Sequence, residues 1–151
     1  MTIRIIHWIC RLVLAGIFIY SGYVKAQEPL QFAVAISGYQ VVPEHLVFPV
    51  ATYFPWFEIA LGVLLLSGWK IRYSSIATAG LLLFFIGLIT VTYMRGIEAD
   101  CGCFGFGEPI TAKTIFRDAL FLIPALFLVF EPWIKVRFRD SQLSRSADSP
   151  A

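Results

Sequence analysis

Two cysteines separated by a single glycine, Cys101-Gly102-Cys103, stand out as the residues best suited to chemistry. Thiols two positions apart on a turned chain bring their α-carbons within the distance a disulfide tolerates, and Gly102 permits the bend that so small a ring requires. A bond closed over so short a loop is strained. Strain makes a disulfide easier to reduce, which suits exchange better than stapling, and the chain-entropy benefit of so tiny a loop is small. A structural zinc site wants about four ligands, whereas the two thiolates are joined only by His7 and His45, both far away in the chain. Thiol–disulfide exchange is therefore the expected chemistry, with Cys101 as the first attacker and no metal. A structural disulfide and metal or cluster handling are the alternatives. Cys10, alone inside an apolar run, is expected to pack as a small hydrophobe.

Charged residues inside apolar runs are the second signal, because each is costly in hydrocarbon and tends to face a partner or a cavity. Arg11 and Glu58 fall at similar depth, roughly 12 to 15 Å from the same membrane face by helical rise. They are expected to pair. Lys25, Arg117 and Asp118 fall at the level of the cysteines and are expected to form a polar cluster beside them, where a cation favours the thiolate. Pro55 and Pro124 each remove a backbone donor, so a small cavity is expected near them. Tyr53, Trp56, Phe104 and Phe106 would give its mouth aromatic walls suited to a quinone ring; the bland reading of these aromatics is interfacial anchoring or core packing.

Positioning these residues falls to long apolar segments. Of 151 residues, 58% are hydrophobic and 15% charged, against roughly 25% charged in a soluble domain. The apolar residues form four runs, near 3–24, 46–68, 74–94 and 112–130, each about the 20 residues that a helix needs to span hydrocarbon. The expected fold is all-α, a bundle of four transmembrane helices in one membrane domain, 1–137. Between the first two runs, Leu30, Phe32, Ala33, Ile36 and Tyr39 can form one face of a short interfacial helix; a packed loop fits as well. The tail, 138–151, is rich in Ser, Asp and Arg, and composition predicts disorder there. The first run is longer than the apolar region of a signal peptide and carries Arg11, so it reads as a span.

Lys and Arg near the helix ends set the expected orientation, because positive loops stay in the cytoplasm. Arg4, Lys70, Arg72, Lys135, Arg137, Arg139 and Arg145 put seven positive charges on the side of the termini; Lys25, Arg95 and Lys113 put three on the other. Both termini are then cytoplasmic. The cysteine loop faces outward, which in a bacterial inner membrane means the periplasm, where disulfides persist. Trp8, Trp69, Tyr73 and Trp133 inside, with Tyr23, Tyr53 and Tyr93 outside, agree with the interfacial preference of aromatic rings. A net charge of +2 and the lack of a nucleic-acid motif give no reason to expect such a partner.

The segments Arg11-x4-Gly16-x-Phe18-x2-Ser21-Gly22-x2-Lys25, Pro55-Trp56-Phe57-Glu58-x3-Gly62, Asp100-Cys101-Gly102-Cys103-Phe104-Gly105 and Arg117-Asp118 resemble the DoxX-like membrane proteins, and within them the MauE branch. The resemblance covers Arg11 to about Phe130; the Asp-Cys-Gly-Cys-Phe-Gly string is its specific part. It implies a four-helix membrane bundle that works with periplasmic thioredoxin-like proteins, MauE being linked to the maturation of disulfide-rich methylamine dehydrogenase. A DoxD relative is a subunit of a thiosulfate:quinone oxidoreductase. The layout also resembles the vitamin K epoxide reductase family, from which the Cys-x-Cys spacing departs, since those proteins use Cys-x-x-Cys. The expected function is a disulfide/quinone oxidoreductase, moving electrons between a thioredoxin-like partner and a membrane quinone without a tightly bound cofactor. The alternative is a non-enzymatic subunit or maturation factor of a redox complex. Four short-looped spans without repeat symmetry fit a transporter poorly.

Overall fold

The computed structural model describes residues 2–102 and 109–147, with side chains described for 5–102 and 109–130. Cys103, Phe104 and Phe106 lie outside the described residues. The elements are α1 (Thr2–Gln27), α2 (Pro29–Gly38), α3 (Glu44–Ser67), α4 (Ile71–Met94) and α5 (Ala112–Ala147). Among the described residues the sole β feature is an isolated bridge between Asp100 and Pro109. Prolines punctuate the chain. Pro29 opens α2 from its first turn, where a missing N–H costs nothing, and Pro43 is the extended residue that leads into α3. Pro49 and Pro55 lie inside α3 without ending it.

The long helices form an all-α bundle: α1 packs chiefly on α3, α4 chiefly on α5, and contacts of α1 with α5 join the two pairs. α1, α3 and α4 are long and apolar enough to cross a membrane. Their outer faces present Leu12, Phe48, Phe57, Phe84 and many other bare apolar side chains, far more than a water-exposed surface tolerates. The fourth expected span, 112–130, is charged at its start. Lys113, Arg117 and Asp118 charge the first turns of α5, and the segment from Ala119 to Phe130 carries its apolar part. α5 also runs on through Ala147, so its backbone stays helical where composition predicts a disordered tail. A helix already nucleated extends at little cost through Arg, Gln, Leu and Ala.

The α1–α3 contact is set by small residues. A β-carbon on Gly22 would lie 2.6 Å from the carbonyl oxygen of Pro55, and one on Gly62 would lie 3.0 Å from that of Ala15. Bare glycine backbone lets the helices approach this closely, as small residues do between membrane helices. The antiparallel register follows: Gly22 opposite Pro55 and Ile59, Gly62 opposite Ala15 and Ile19. One apolar core, built on Leu14, Ala15, Leu65, Ala79, Ala125 and Leu128, joins the four long helices; a second, built on Phe32, Ile36 and Ala51, seats α2 on α3.

Candidate functional site

The short segment between the first two spans is a helix, α2, and it carries the cysteine loop. Phe32, Ala35, Ile36 and Tyr39 are buried on its inner face, while Leu30, expected on that face, is exposed with Val34. The Tyr39 hydroxyl donates to the carbonyl oxygens of Cys101 (2.7 Å) and Asp100 (3.0 Å). Gly102 sits over Ala35 and Phe32 with a φ of +63°, in the left-handed region that glycine enters without strain. The stem of the loop is closed by the Asp100–Pro109 bridge and by the Ile110 N–H donating to the Ala99 carbonyl at 3.0 Å. A rigid cradle thus fixes the backbone at Cys101.

Cys101 itself is 1% exposed. Burial works against its expected role as first attacker, because attack on a protein disulfide needs access. Arg117, from the second turn of α5, reaches it: Nη2 lies 3.9 Å from Sγ, while Nε lies 3.3 Å from Oδ1 of Asp118. Of the expected cluster of Lys25, Arg117 and Asp118, Arg117 thus lies between the Asp118 carboxylate and the Cys101 thiol. Cys10 is half-buried in α1 against the inner core, as its lone position suggested.

The expected Arg11–Glu58 pair is replaced by another. Lys25, 1% exposed, places Nζ 2.8 Å from both Glu58 carboxylate oxygens and 2.9 Å from Ser21 Oγ. The rings of Phe32, Phe54 and Phe85 surround the ammonium at 5.1 to 5.6 Å, a favourable cation–π range. Arg11 instead donates to the carbonyls of Leu65 (2.5 Å) and Leu66 (2.6 Å), which the end of α3 leaves without helical partners, and stacks on Trp8. Equal depth was counted from run ends that do not coincide. The glycine-set register carries the start of α1 beyond the end of α3, so Arg11 meets the last turn of α3, and Ser21 and Lys25 meet Glu58.

Lys25, Glu58, Ser21 and Asp118 line one cavity of about 40 Å³, walled otherwise by apolar side chains of α1, α4 and α5. Pro55 and Pro124 do not line it; Pro55 is packed against Gly22. Tyr53 and Trp56, expected at a quinone mouth, are 74% and 63% exposed on the outer face of α3. Phe54, one position on, turns inward. Sequence reasoning passed over Phe54 and Phe85, and over the roles of Phe32, Tyr39 and Ser21 at the site; the i, i+4 spacing of Ser21 and Lys25 within an apolar run was the available signal.

Residues 3–131 match the family described as methylamine utilisation protein MauE. The chain belongs to the MauE family. With its long apolar helices, it is a multi-pass membrane protein of a family tied to methylamine utilisation. No curated protein and no solved structure matches it. The match takes in both the cysteine loop and the Ser21–Lys25–Glu58 cluster.

Proposed function

We propose that this MauE-family protein exchanges electrons between a periplasmic thioredoxin-like protein and a membrane quinone through Cys101 and Cys103. The observation that supports it most is Arg117 Nη2 at 3.9 Å from Cys101 Sγ: a guanidinium favours thiolate, the reactive form of cysteine. The chain sits in the bacterial inner membrane with both termini cytoplasmic and the cysteine loop periplasmic. Because Cys101 is buried, Cys103 makes first contact and Cys101 resolves. Cys103 thiolate attacks a partner disulfide, forming a mixed disulfide and releasing one partner thiolate. Cys101 thiolate then attacks Cys103 sulfur, the Cys101–Cys103 bond forms, and the second partner thiolate leaves with its electron pair. Quinol, giving two electrons and two protons, restores the dithiol and leaves as quinone; the reverse sequence oxidises the partner. Exposed Tyr53 and Trp56 offer ring surfaces for a quinone on the bilayer side of α3.

The test is covalent trapping. With Cys101→Ser, the mixed disulfide on Cys103 has no resolving thiol and accumulates as an adduct with a periplasmic protein. The double Cys101→Ser/Cys103→Ser chain gives none. No adduct from either single variant, with the quinone reduction state indifferent to the double variant, would reject exchange. The family's tie to methylamine utilisation would then favour a maturation subunit that acts without thiol turnover.

A further inference from the structure

Arg117 faces two acids at once, the Asp118 carboxylate at 3.3 Å and the Cys101 thiol at 3.9 Å. Asp118 is buried and lines the cavity shared with Ser21, Lys25 and Glu58. The charged groups around it can be assigned by element among the described residues. α1 brings Lys25, α3 brings Glu58, α5 brings Arg117 alongside Asp118, and α4 brings the apolar Leu81, Leu82 and Phe85. α2 brings Tyr39, engaged with the loop carbonyls, and the loop brings Asp100, which is half-buried at the outer surface. Two cations, Lys25 and Arg117, thus stand against two buried carboxylates, Glu58 and Asp118, as long as Cys101 keeps its proton.

Ionising Cys101 where it lies adds a third buried anion. Uncompensated charge away from water is expensive, so the thiol proton is best kept within the cluster, on a carboxylate. Asp118 is the carboxylate that shares Arg117 with the thiol. We propose that Asp118 is the proton acceptor for the buried Cys101 thiol. The S–H bond breaks, an O–H bond forms on the Asp118 carboxyl, the electron pair stays on sulfur, and Arg117 turns from the carboxylate to the new thiolate. This deepens the exchange reaction above and rests on Cys101 taking part in it. In that reaction the thiolate so formed attacks Cys103 sulfur, and the partner's disulfide is the oxidant. When the pair is reduced again, Asp118 returns the proton. The adjoining cavity of about 40 Å³ exceeds the roughly 10 to 15 Å³ that one water needs, so a water there can relay the proton towards Glu58 and Lys25.

The test titrates Cys101 alone, in the detergent-purified full chain carrying Cys10→Ala and Cys103→Ser, by the ultraviolet absorbance of the thiolate. Shared protons come off in macroscopic steps that belong to the pair, so the thiolate signal should rise in two steps. Asp118→Asn should collapse these to one, moved to lower pH by roughly one unit, because Arg117 then serves the thiolate alone. Asp118→Glu should keep both. Infrared spectroscopy of the parent needs no substitution at Asp118: a protonated-carboxyl band should remain after the first thiolate step and disappear with the second. A merely structural Asp118 predicts a single step and no such band; either outcome overturns the assignment, as does a midpoint that stays or rises in Asp118→Asn. The titration uses neither partner nor quinone. Two steps without a trapped adduct would reject exchange alone; an adduct with a single step would reject Asp118 alone.

Discussion

Lys25 of α1 and Glu58 of α3 form a buried ion pair across the glycine-lined α1–α3 contact, with Nζ 2.8 Å from both carboxylate oxygens. Ser21 adds a third acceptor and three phenyl rings enclose the ammonium. Each charge is tolerable in this apolar setting because the other is there.

Removing one partner should therefore cost more than removing both. Lys25→Met or Glu58→Leu strands a buried charge, a loss of roughly 3 to 5 kcal/mol, and the double variant should recover much of it. Thermal unfolding in detergent measures the cycle. A double variant no more stable than either single one would show that the pair is not coupled.

Arg11 should behave independently of Glu58. Arg11→Gln deprives the Leu65 and Leu66 carbonyls of a charged donor, and bonds to charged groups contribute roughly 1.5 to 3 kcal/mol each. The losses in Arg11→Gln and Glu58→Leu should add when combined, since residues without shared partners are additive within about 0.5 kcal/mol. A larger coupling energy would restore the Arg11–Glu58 contact that depth alone suggested.

The contrast between these two pairs shows what the sequence makes legible. Apolar run length identifies α1, α3 and α4 because hydrocarbon thickness fixes it, and the Cys-Gly-Cys string identifies the loop because its chemistry is local. Pairing across helices is set by register, which depends on Gly22 and Gly62 meeting backbone they do not adjoin in sequence. Phe54 and the loop contact of Tyr39 were hidden for the same reason: which of several aromatics turns inward, and what it then meets, is decided by packing, and aromatic residues make up 16% of the chain.

The register itself is open to test. In Gly22→Leu the side chain would meet backbone, since even its β-carbon lies 2.6 Å from the Pro55 carbonyl oxygen. Overpacking of this kind costs roughly 1 to 3 kcal/mol, and forcing α1 from α3 would also lengthen the Lys25–Glu58 contact. Adding Lys25→Met/Glu58→Leu to Gly22→Leu should then cost less than it does in the parent. Equal cost in both backgrounds would mean that the ion pair does not depend on this approach.

Orientation rests on the charge count of seven against three and is checked by labelling. After mild reduction, a membrane-impermeant thiol reagent applied to intact spheroplasts should modify the cysteine loop and spare Cys10. Labelling that appears only after lysis would place the loop, and with it the exchange chemistry, on the cytoplasmic side.

Tyr39 offers the most direct probe of how α2 controls the thiol. Its hydroxyl holds the carbonyls of Asp100 and Cys101, and nothing else described on α2 makes a hydrogen bond to the loop. Tyr39→Phe keeps the buried ring, so the packing of α2 on α3 through Phe32 and Ile36 is retained and the fold should lose only about 1 kcal/mol. The loop, however, loses its tether. Opening of a locally held segment sets how often a buried group meets solvent, and a tether worth about 1.4 kcal/mol corresponds to a factor of about ten in that opening. In a chain with Cys10→Ala and Cys103→Ser, alkylation of Cys101 by a small neutral reagent should accelerate several-fold in Tyr39→Phe, with thermal unfolding almost unchanged. An unchanged alkylation rate in a folded variant would mean that the loop is held by its Asp100–Pro109 stem and by Arg117 instead, and that α2 is only its floor.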